Sequence, residues 1–93
     1  MEVYGIAAFR SRQQVLRYEA LLARSGVAAR VVSTPREIAV GCGLSLQFAM
    51  SDLRTVQAVL ARDRPVNLIG LYMVEQSVGG RPVLTVISKQ AAF

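Results

Sequence analysis

The chain contains no histidine, no tryptophan and a single cysteine, Cys42. Without histidine, a Cys–His catalytic pair cannot form within one chain. One cysteine and no histidine cannot make a structural zinc site. A lone thiol also cannot close an internal disulfide, which fits a reducing compartment and a cytoplasmic, bacterial-type protein. Carboxylates number only six, and no acidic pair stands out for acid–base work. The glycines lack the spacing of a phosphate loop, and Gly79-Gly80 has no lysine after it. No apolar run approaches the roughly 20 residues that would cross a membrane. Met1-Glu2-Val3-Tyr4-Gly5 has no basic segment leading into an apolar one, so it does not read as a signal peptide. These absences describe a chain poor in the means to act alone as an enzyme, with no call for a metal or a cofactor.

What is present supports a folded domain. Of the 93 residues, 53% are hydrophobic and 18% charged, far from a disordered profile. A chain this short is one domain that depends on one compact core. The net charge of +5 comes from ten arginines and one lysine. The arginines are scattered, which reads as solubility and salt bridging; an acidic protein partner or a nucleic acid is the sharper alternative.

Local patterns predict an element order. Val3 to Phe9 is apolar throughout and reads as a buried strand. Ser11 followed by Gln14 predicts a helix start. Val15, Tyr18 and Leu22 make one apolar stripe, and Gly26 ends the helix. Ala28 to Val32 reads as a second strand, and Thr34 to Gly43 as a loop. Leu44, Leu46, Phe48 and Met50 alternate with Ser45, Gln47 and Ala49, predicting a third strand with one wet face. Ser51 is the expected cap of a second helix with Leu53, Val56 and Leu60 buried and Pro65 at its end. Val66 to Val74 reads as a fourth strand. The order β-α-β-β-α-β over residues 1–74 predicts an α+β, ferredoxin-like antiparallel sheet with both helices on one face. Residues 75–93 extend that domain. Gly79-Gly80 favours a hairpin into an edge strand from Val83 to Ile87 over a loose tail, and such an edge offers a route to a homodimer.

Chemistry concentrates on the loop. Pro35 holds Thr34 extended, and Gly41 and Gly43 relax the backbone on either side of Cys42. No side chain on either neighbour shields that thiol. Arg36, loop amides and the overall positive field could each favour the reactive thiolate. The alternative is that Cys42 is a small apolar filler, as most free cysteines are.

Thr34-Pro35-Arg36-Glu37-Ile38, then Cys42-Gly43-Leu44 and Phe48, resembles the motif of the selenium/sulfur carrier-like family of small bacterial domains. Phe9, Ser11, Glu19, Leu22, Gly26-Val27 and Asp52 agree with it as well. The likeness spans roughly residues 3 to 74. It departs from the family at Gln47, where arginine is common, and in the C-terminal extension. The resemblance implies that Cys42 carries sulfur or selenium as a persulfide or selenopersulfide. It would take the cargo from a cysteine desulfurase-type donor and pass it to an acceptor enzyme. Thr34, Pro35, Arg36, Glu37, Gly41 and Gly43 would support that loop. A carrier suits a chain with no second thiol to discharge the cargo as a disulfide.

Two further features need an account. Glu19 lies beside the apolar stripe of the first helix, where a charge needs a partner or a route to solvent. Pairing with Arg36 would tie the Cys42 loop to that helix. Tyr4, Phe9, Phe48 and Tyr72 on strands invite comparison with sheets that stack RNA bases. Phe48 is in phase with the core positions, so nucleic acid is disfavoured. A protein- or RNA-binding module with a structural cysteine is the competing function, and reversible redox sensing by Cys42 a third.

Overall fold

A computed structural model of the chain describes residues 2–38, 43–63 and 67–89. Strand β1 (Glu2–Phe9) leads to helix α1 (Arg12–Arg24), then β2 (Arg30–Ser33) and β3 (Leu44–Phe48). A 3₁₀ turn (Met50–Asp52) runs into α2 (Leu53–Asp63), followed by β4 (Leu68–Gln76) and β5 (Val83–Lys89). The strands form one five-stranded sheet in the order β2-β3-β1-β4-β5. Every neighbouring pair is antiparallel. β1 sits at the centre because Ile6-Ala7-Ala8-Phe9 has no polar side and is buried on both faces.

Side chains alternate across the sheet, so β1 feeds two cores. Ala7 and Phe9 join Leu46, Phe48 and Leu71 on the face that receives both helices. There they meet Val15, Tyr18 and Leu22 of α1 and Val56, Val59 and Leu60 of α2. The rings of Phe9 and Tyr18 stack with centroids 5.5 Å apart and planes 19° from parallel, adding about 1 kcal/mol beyond burial. Ile6 and Ala8 join Tyr72 and Val74 on the opposite face, with Tyr4, Ile38, Ile69 and Leu84 around them.

The ends of α1 match the local signals. Ser11 Oγ accepts from the Gln14 backbone N–H at 3.4 Å, a cap that contributes about 1 kcal/mol. At the other end Gly26 takes φ 85°. The Val27 N–H then reaches back to Leu22 O at 2.9 Å and the Gly26 N–H to Ala23 O at 3.1 Å. This closes the helix in a Schellman motif with Leu22 and Val27 buried together.

Several boundaries and one cap differ from expectation. β2 begins at Arg30 rather than Ala28, because the Ala29 N–H bonds to Val27 O while the chain leaves α1. β3 ends at Phe48 rather than Met50, its register with β1 stopping at Gly5–Phe48. Ser51 is exposed and caps nothing; the Asp52 N–H bonds to Ala49 O at 2.8 Å, so a 3₁₀ turn starts the helix. β4 runs to Gln76, two residues beyond the expected end at Val74. Pro65 lies outside the described residues. The C-terminal hairpin is present: Gly79 takes φ 76° in the turn, and β5 pairs antiparallel with β4.

β3 also lacks a wet side at one position. Ser45 is fully buried, although it points away from the helices. The chain beyond β2 covers it, which brings the loop into the account.

Candidate functional site

The loop between β2 and β3 is closed at its base by the backbone. The Thr34 N–H donates to Gly43 O at 3.0 Å, one step beyond the Ser33–Leu44 pair that ends the β2–β3 ladder. Inside that closure the hydroxyls of Thr34 and Ser45 lie 2.6 Å apart and share a hydrogen bond. Thr34 is 9% exposed and Ser45 0%, so each is the other's polar partner in a dry place. Thr34 therefore anchors the base of the loop through both its hydroxyl and its backbone N–H. Gly43 is required by space. A Cβ there would come within 2.9 Å of Thr34 Oγ1, and its φ is not in the left-handed region. The expected relaxation of backbone angles is not its role.

Beyond Thr34 the chain turns at once. The Ile38 N–H donates to Pro35 O at 3.0 Å, a β-turn with Arg36 and Glu37 at its two central positions. Both are exposed, so one cation and one anion stand at the tip. Ile38 returns to the protein and packs against the Ile6–Ala8–Tyr72–Val74 cluster, on the sheet face with no helix. The first half of the loop is thus held by a hydroxyl pair at Thr34 and an apolar contact at Ile38, and it offers Arg36 and Glu37 to a partner.

Cys42 and Gly41 lie outside the described residues, as do 39 and 40. Their flanking residues in the chain, Ile38 and Gly43, are both placed. Of the expected supporting residues, Thr34, Pro35, Arg36, Glu37 and Gly43 lie together in this loop and its base.

Glu19 does not join them. It is half-buried on α1, and among the described residues no ion pair links it to Arg36. α1 packs on the face carrying Ala7 and Phe9, whereas Ile38 packs on the face carrying Ile6 and Ala8. The expected pairing with Arg36 is not seen among the described residues, where Arg36 is exposed on the turn.

Sequence reasoning passed over Ser45 and Ile38. A signal for Ser45 was available: a hydroxyl two residues past Gly43 that faces a threonine across the loop base. Ile38, an isolated apolar residue in a polar turn, likewise asks what it covers. The strand aromatics do not form a stacking platform. Phe9 and Phe48 belong to the helix-side core, and Tyr72 is 5% exposed on the other face. Every described arginine is exposed, and they are spread over strands, helices and loops.

Among the described residues no group of three His, Cys, Asp or Glu is placed to hold a metal ion. No described helix is long and apolar enough to cross a membrane. No curated protein and no solved structure matches the chain. A family model does match, over residues 4–72, a span that includes most of β1, both helices, the whole Thr34–Gly43 loop and the first part of β4. On that match, with the loop at its centre, the chain belongs to the family described as Putative Se/S carrier protein-like.

Proposed function

We propose that the protein is a small carrier that holds sulfur or selenium on Cys42 and passes it to an acceptor. The observation that carries this reading is family membership over residues 4–72, which takes in the loop bearing the only thiol. The anchoring of that loop supports it. A carrier loop must enter a donor's active site without unfolding, and Thr34–Ser45 and Ile38 tie this loop to the sheet at its start. The element order and the placing of β1 between β3 and β4 support a ferredoxin-like scaffold for the carrier. A cytoplasmic setting, where a lone thiol stays reduced, suits the role.

The chemistry is thiol exchange. The Cys42 thiolate attacks the outer sulfur of a persulfide on the donor, a cysteine desulfurase-type enzyme. A new S–S bond forms at Cys42 as the donor's S–S bond breaks, and the donor leaves as a thiolate. No electrons are gained or lost overall. The acceptor's nucleophile then attacks the terminal sulfur and releases the Cys42 thiolate. With selenium as cargo the terminal atom changes and the balance does not. The absence of any other cysteine matters here, because a second thiol would expel the cargo and close a disulfide.

The test is intact-mass measurement after incubation with a cysteine desulfurase and cysteine. Wild type is expected to gain one sulfur atom, lost again on reduction, and Cys42→Ser to gain none. A folded wild-type protein that gains no sulfur, and whose thiol resists alkylation, would overturn the proposal.

A further inference from the structure

We infer that the outer edge of β5 is a docking strand for an extended segment of another protein, one whose apolar β-branched residues are flanked by acidic side chains. β5 is last in the sheet and pairs with β4 on one side only. Among the described residues no strand pairs with its other side, which leaves a row of backbone donors and acceptors, the template to which an added strand binds.

Sheet edges are ordinarily blunted by shortness, charge, proline or a bulge. The opposite edge has such protection. β2 is four residues long, begins at the exposed Arg30 and is followed by Pro35 two residues past its end. β5 is longer, at seven residues; Pro82 stands just before it and Lys89 at its end, but the six residues Val83 to Ser88 carry no charge and no proline. Its one irregularity is the extra residue at Ile87, between the Tyr72–Val86 and Leu71–Ser88 pairs, which leaves Val83 to Val86 regular. Val83 and Val86 are 59% and 51% exposed, so the stretch is apolar as well as unpaired.

Charge selects the occupant. Exposed Arg81 precedes β5 by two residues, Lys89 ends it, and the whole chain carries +5. A second copy paired antiparallel about Val86 would set Val83 opposite Lys89. Arg81, just before one strand, and Lys89, at the end of the other, would then fall at the same end of the pair, and like charges would meet twice. Acidic residues flanking a partner strand turn the same two positions into attractions. β5 also lies beyond residues 4–72, so this edge is an addition to the family's matched span. The inference does not rest on the cargo chemistry of Cys42.

The test uses the full chain, isotope-labelled, and a short synthetic peptide of alternating valine and threonine with two glutamates at each end. Binding is read from backbone amide shifts by NMR. Shifts are expected to concentrate on Val83–Ser88. A lysine-flanked version should bind roughly tenfold more weakly at low salt, the gap narrowing as salt is added. The glutamate-flanked peptide N-methylated at alternate amides should not bind, and Val86→Glu should weaken the unmodified peptide. Four results would each overturn the inference. These are no binding at millimolar peptide, shifts centred on β2 or the helices, equal binding of the N-methylated or lysine-flanked peptide, and self-association through β5. None of these outcomes involves a thiol, so failure here leaves the carrier proposal standing, and the reverse holds too.

Discussion

Removing one half of the Thr34–Ser45 pair should destabilise the protein unequally, depending on which half is removed. The two hydroxyls are 2.6 Å apart, with Ser45 at 0% exposure and Thr34 at 9%. A buried neutral hydrogen bond contributes about 0.5–1.5 kcal/mol net, whereas a buried group left unpaired costs about 1–3 kcal/mol. Thr34→Val strands the Ser45 hydroxyl where no water reaches it, so its loss should approach 2–3 kcal/mol by that scale. Ser45→Ala strands Thr34, which touches solvent and can partly rehydrate, so its loss should stay near 1 kcal/mol. The double variant leaves nothing unpaired and should cost less than the two single losses added, by about 1 kcal/mol. Urea unfolding followed by circular dichroism measures all four corners of the cycle. In a thermal melt, each 1 kcal/mol corresponds to about 4–8 °C for a domain of this size. Additive losses, or a Ser45→Ala loss equal to that of Thr34→Val, would refute the reasoning that this is an isolated, dry pair closing the loop base.

Two more predictions concern the core that carries the loop. The ring of Phe48 occupies the space that a Cβ at Gly5 would need, directly across the β1–β3 register. Gly5→Ala should therefore cost about 1–3 kcal/mol by overpacking, and Gly5→Ala with Phe48→Leu should recover part of it; a neutral Gly5→Ala in the same urea assay would contradict the packing. Burial pushes the Tyr18 phenol above its ordinary value of 10.0, the Asp63 charge adds to this, and Arg17 opposes it. A raised folded value means that the unfolded tyrosine gives up its proton first. Tyr18's contribution to stability is thus complete below pH 10 and lost as pH rises through the folded value. Near-ultraviolet titration should show a late-ionising phenol that Tyr18→Phe removes, and a Tyr18 that ionises at the ordinary value would count against its burial.

How legible the protein was depends on how far each signal reaches along the chain. α1 could be read outright because its determinants are local: Ser11 with Gln14 at one end, Gly26 at the other, and a stripe at helical spacing between them. β5 was readable as a hairpin strand because Gly79 sits where the turn needs a left-handed residue. The 3₁₀ turn at Met50–Asp52 was not readable, since Ser51 followed by Asp52 carries the same signal as a capped helix. The end of β3 was set instead by where its partner β1 stops pairing.

The loop divides in the same way. Its boundaries at Thr34 and Gly43, the lone thiol within it and the family likeness were all in the amino-acid order, because proline, glycine and cysteine act through the backbone or through their own chemistry. That Ser45 is buried and that Ile38 anchors the turn were decided by tertiary structure alone. A strand's alternation says that two faces exist, but not what covers each. Only in the folded chain, with Tyr4, Ile38, Ile69 and Leu84 packed around them, do Ile6, Ala8, Tyr72 and Val74 form a second buried cluster on this sheet.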